Sequence, residues 1–112
     1  MNEPILVDII RLCIANHEKA ATIYGHLSRA ETQGELRIFW NRMSEEADAH
    51  ASGWKRLLEL TDGGAVGALF DHPYEIRQDL ADIDLKTDRL LKQSQQPLTT
   101  MQGFLLAFYL EF

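Results

Sequence analysis

At 112 residues the chain has room for one domain and not for two. Hydrophobic residues make up 46% of it, too many for a disordered segment. A net charge of −6 and a pI near 5.1 disfavour a nucleic-acid role, since phosphate binding needs a basic face, and permit cation binding without requiring it.

The first predicted helix opens at Asn2-Glu3-Pro4: a capping residue, an acid in the first turn, and a proline where its missing N–H costs nothing. Ile10, Cys13, His17, Ala20, Tyr24 and Leu27 then recur at three- and four-residue steps, one face of a helix over 4–31. Glu3, Asp8 and Arg11 interrupt the apolar N-terminus, so it does not read as a secretory signal. Cys13 is the only cysteine, which excludes an internal disulfide and a thiolate cluster. Its place in the stripe is that of a small buried hydrophobe.

Thr32-Gln33-Gly34 breaks this helix, and a second over 35–61 carries Leu36, Phe39, Met43, Glu46, His50, Trp54 and Leu57 on one face. Asp62-Gly63-Gly64 stops it. A link this short forces the two helices to be antiparallel neighbours. Residues 62–72 read as a Gly-rich crossover with a small apolar cluster, Val66, Leu69 and Phe70. Pro73 starts a third helix with Ile76, Leu80, Ile83 and Leu90 as its stripe. Its acids, Asp79, Asp82, Asp84 and Asp88, read as a solvated face. Gln95-Gln96-Pro97 interrupts, and a last helix begins near Thr99, bearing Leu105, Phe108, Tyr109 and Phe112. The longest apolar run, Gly103 to Leu110, is far too short to span a membrane. Cytoplasmic residence, with no membrane or nucleic-acid partner, is the expectation.

One constellation points to chemistry. A turn centred on Gln33 sets Glu18 level with Asp48 and His17 level with Ala49, so His50 lies within roughly 1.5–3 Å of both along the axis. His17, Glu18, Glu46 and His50 thus share one height on facing surfaces. Such groups are costly in an apolar interior unless they are paired or bind a metal. Carboxylate and imidazole suit iron, manganese or zinc. Plainer roles stand beside this one: His50 as a core histidine bonded to Glu46 or Tyr24, Glu18 and Glu111 as surface acids. Trp40, Trp54, Phe39, Met43 and Tyr24 read as core packing, and His26 and His72 carry no assigned role.

At these residues the chain resembles the rubrerythrin branch of the ferritin-like superfamily. His17-Glu18-Lys19-Ala20-Ala21-Thr22-Ile23-Tyr24 is similar to the family's first-helix motif. Phe39-Trp40 to Glu45-Glu46-Ala47-Asp48-Ala49-His50-Ala51 is similar to its second-helix Glu-x-x-His-Ala motif. Ala107-Phe108-Tyr109-Leu110-Glu111 is similar to the start of its third main helix. The resemblance implies ligand roles for Glu18, His50 and Glu111. Ala47 stands where the family has a Glu, with Glu46 the nearest substitute, and alignment on Ala20 and Tyr24 puts His17 at the first ligand position.

The fold expected is therefore all-α: one ferritin-like antiparallel helical bundle over 1–112, its fourth helix missing, supplied by a partner copy, or lying in a C-terminal continuation. The function expected is iron binding, at one or two metals, with manganese and zinc less favoured. The ligand set is Glu18, Glu46, His50 and Glu111, with His17 in reserve. The enzyme class that the resemblance implies is a diiron oxidoreductase of ferroxidase or peroxidase type. The rival expectation is a degenerate bundle without metal, serving as a dimerising or partner-binding module. Under either, the apolar last helix calls for a cover, and a two-fold homodimer is the commonest closed assembly.

Overall fold

The structure, a computed structural model, describes residues 3–62 and 72–112. These form four α-helices and no strand: α1 (Glu3–Ala30), α2 (Gly34–Asp62), α3 (Pro73–Ser94) and α4 (Thr100–Glu111). The expected hairpin is present, with bounds within a residue of those read from the periodicity. Asn2 and the cluster Val66, Leu69 and Phe70 lie outside the described residues.

Local chemistry explains the breaks. The Glu31 carboxylate accepts from the Thr32 and Gln33 N–H groups, tying the α1–α2 turn. α3 starts at Pro73. Thr99 and Gln102 form a capping box on α4, the Thr99 hydroxyl accepting from the Gln102 N–H and the Gln102 side chain accepting from the Thr99 N–H.

α1 is the central helix. Ile5, Leu6, Ile9, Ile10, Ile14, Ile23, Tyr24 and Leu27 are all buried, a wider band than the predicted stripe. At its N-terminal half Ile9 and Cys13 pack with Trp54, Ile76 and Leu80, while Ile10 and Ile14 pack with Leu57 and Leu58. At its far end Ile23, Tyr24 and Leu27 join Trp40 of α2, Leu90 of α3 and Leu106 of α4. Full burial of an isoleucine such as Ile9 or Ile23 contributes about 1.5–3 kcal/mol, so this one helix supplies most of the apolar driving force.

The cross-links fix the helix directions. Ser44 Oγ donates to the Ala21 carbonyl at 2.8 Å and Ser28 Oγ to the Arg37 carbonyl at 3.0 Å, so α2 runs antiparallel to α1. Asp8 meets Arg77, Asn16 meets Leu80, Lys19 meets Asp84 and Asp88, and His26 meets Ser94. Position on α3 thus rises with position on α1, and the two are parallel. Thr100 bonds Glu31, whereas Glu111 bonds Tyr24, so α4 runs back antiparallel.

The order is up-down-up-down, and α2 ends at the same end of the bundle where α3 begins. That differs from the single long crossover of ferritin-like folds. The last helix expected near Thr99 is present as α4. Two further expectations are modified. Asp84 and Asp88 are not simply solvated, because they clamp Lys19 at 2.6 and 2.8 Å. Phe39 is largely at the surface, against the Trp40 and Phe104 rings.

Candidate metal centre

A cleft of about 410 Å³ lies over the middle of α1, between α2 and α3. Cys13, Asn16, His17, Ala20 and Tyr24 of α1 form its floor, at the spacing of one helical face. Met43, Glu46, Ala47 and His50 of α2 form one wall and Leu80, Ile83 and Thr87 of α3 the other. Leu110 and Glu111, the last two residues of α4, close one end.

Four of the five residues predicted as ligands line this cleft: His17, Glu46, His50 and Glu111. The His17 and His50 rings lie 5.3 Å apart, edge to face, as the level argument anticipates. Glu18 does not join them. One residue on from His17, it is turned by about 100° around the helix. Its carboxylate pairs instead with Lys55 at 3.2 Å on the outer α1–α2 seam, where both are half-exposed. Of the two, His17 is the one that lines the cleft.

The cleft is graded from dry to wet. Tyr24 is buried and stacks on Trp40 at 5.9 Å, and its hydroxyl donates to the Glu111 carboxylate. Burial, and then that bond, push the Tyr24 phenol well above its usual value, so it remains a donor. His17 is half-buried, and burial, then the His50 ring, lower its pKa, while Glu111 opposes the shift. It is consequently neutral at pH 7 and has a lone pair to offer. Glu46 and His50 are exposed at the rim. Burial raises the Cys13 thiol, which leaves it an inert floor residue.

Three features escaped the sequence reading. Asn16 donates to the Leu80 carbonyl at 3.4 Å, yet its Oδ1 is buried on the cleft floor with no hydrogen-bond partner. Such atoms are seldom left alone and require a water or a cation. Its spacing three residues after Cys13 and four before Ala20 was a usable signal. The Tyr24–Glu111 bond, by contrast, spans 87 positions and has no local signature. His26, given no role, bonds Ser94 at 2.9 Å. Because Ser94 Oγ donates to the Leu91 carbonyl, it accepts from His26 Nδ1–H, which fixes the tautomer of a neutral His26.

Among the described residues no three His, Cys, Asp or Glu side chains form a closed group around one point. The four cleft donors converge without meeting, Glu111 being engaged with Tyr24. A larger groove of about 490 Å³ between α1 and α3 mixes Asp8 with Arg11 and Arg77 and holds no such donor set. No helix of the described residues is long and apolar enough to cross a membrane. Compared with protein-family models, curated proteins and solved structures, the chain matches none of them.

Proposed function

We propose that this chain is a metal-binding helical bundle that works as a homodimer, holding iron through His17, His50, Glu46 and Glu111. The single observation carrying the proposal is the convergence of those four side chains, from three helices, on one cleft. Two imidazoles with one or two carboxylates and open positions suit ferrous iron, with manganese and zinc behind it. The unpartnered Asn16 Oδ1 on the floor favours a cation there.

Bound iron supplies redox chemistry toward oxygen or peroxide, the type found in the rubrerythrin-like proteins that the motifs resemble. The chain's own residues bind and orient. His17 is fixed by α1, Tyr24 holds Glu111 in place, and Leu80, Ile83 and Leu110 make the far side apolar. Glu46 and His50, exposed at the rim, would supply the remaining ligands.

The rival reading, a metal-free partner-binding module, draws support from the absence of a closed ligand group among the described residues. Elemental analysis after anaerobic iron loading and desalting separates the two. Stoichiometric iron, largely lost in His50→Ala, is the expected result. Wild-type protein without retained metal would favour the module.

A further inference from the structure

The outward face of α4 deepens the homodimer part of the reading above and is independent of the metal. The helix is apolar all round, with no Asp, Glu, Lys or Arg between Thr100 and Leu110. Gly103, Leu106, Ala107 and Leu110 face the bundle, the first two fully buried and Ala107 and Leu110 packed at the edge of the core. Met101, Phe104, Leu105, Phe108, Tyr109 and Phe112 are all exposed, between 40% and 86%. Their spacing places them on one arc, at steps of three and four residues.

At about 200 Å² for a large side chain, these six expose roughly 700 Å², close to the ~800 Å² each partner contributes to a standard interface. A monomer seldom leaves a patch of that size in water.

From this we infer that α4 is a two-fold seam, packing antiparallel against α4 of a second copy. The stripe is its own reverse about a point between Leu106 and Ala107. A two-fold axis there sets Met101 against the partner's Phe112, Phe104 against the partner's Tyr109, and Leu105 against the partner's Phe108. Every stripe residue so meets another, and no like charges are brought together. A second feature supplies the hole that such knobs need. Beside the stripe, Leu98, Leu105, Leu106 and Tyr109 line a groove of about 270 Å³ with a Gln93, Gln96 and Gln102 rim. Antiparallel pairing also opposes the two helix dipoles favourably. Because Glu111 closes α4 and lines the cleft, the seam steadies the one cleft donor that α4 provides.

Light scattering on the full chain at micromolar concentration tests the seam, with or without metal. A mass about twice 12.8 kDa is expected, falling to 12.8 kDa in Leu105→Glu and in Phe108→Lys with helicity unchanged. Both positions are exposed, so neither substitution disturbs the core. Leu85→Glu, on the exposed face of α3, should leave the dimer intact. A monomeric wild type overturns the inference, and so does a dimer that survives both α4 substitutions.

Discussion

Tyr24 joins the core to the cleft, and its two roles can be separated by mutation. The ring is 2% exposed and stacked on Trp40, while the hydroxyl reaches the Glu111 carboxylate. Tyr24→Phe keeps the ring and removes only the bond. A hydrogen bond to a charged group contributes about 1.5–3 kcal/mol, but Glu111 is exposed, so solvent competition brings the expected loss to about 1 kcal/mol. Tyr24→Ala also removes the packing and should cost about 3–5 kcal/mol. Glu111→Ala should resemble Tyr24→Phe, and the double variant should be no worse than either single one. Urea unfolding followed by circular dichroism measures the wild type and all four variants, and the Tyr24→Phe/Glu111→Ala cycle should return a coupling of about 1 kcal/mol. A coupling within about 0.3 kcal/mol of zero would mean that the bond does not hold α4 to α1, and Glu111 would lose its fixed place in the cleft.

Lys19→Met should cost about 1 kcal/mol, because it leaves Asp84 and Asp88 facing each other without their shared cation. Burial alone would lower Lys19, but the two carboxylates outweigh it, so the loss should shrink in about 1 M salt. His17 sets a pH dependence. Its folded pKa is lowered from 6.5, so on acidification the unfolded chain takes up this proton first and unfolding gains. Apo-protein stability should therefore be level above about pH 6.5, decline below it, and decline less in His17→Gln, as read by thermal melts. Ala47→Glu puts a carboxylate on the cleft wall at the position where the resembled motif has one. Without metal it should destabilise by about 1–3 kcal/mol, since Ala47 is buried, and with iron it should slow removal by a chelator.

Much of this architecture is legible in the sequence, for identifiable reasons. The α1–α2 hairpin follows from stripes of fixed period and a link of few residues, and the same two facts place His17 opposite His50. The α1 stripe itself carries His17, whereas the resembled motif points to Glu18, and a step of about 100° turns Glu18 away from that face. Lys55, which captures Glu18, lies 37 residues away. The direction of α3 is hidden from the sequence, because composition alone does not tell at which end of the bundle α3 begins. Contacts such as Asp8–Arg77 and His26–Ser94 decide it, and they join residues more than sixty positions apart. The α3 acids read as solvated from the apolar stripe of their own helix, whereas Asp84 and Asp88 lean over its edge to Lys19. The doubly apolar α4 was visible from its composition, and its lack of charge is the reason.

The central claim is that one cleft collects the metal ligands. Crystals grown from iron-loaded protein, with anomalous diffraction measured on both sides of the iron edge, test it most directly. A peak among His17, Glu46, His50 and Glu111, with Glu18 still outside at Lys55, is the predicted result. Iron density on the Glu18 seam, or none in the cleft of an iron-loaded crystal, would contradict it.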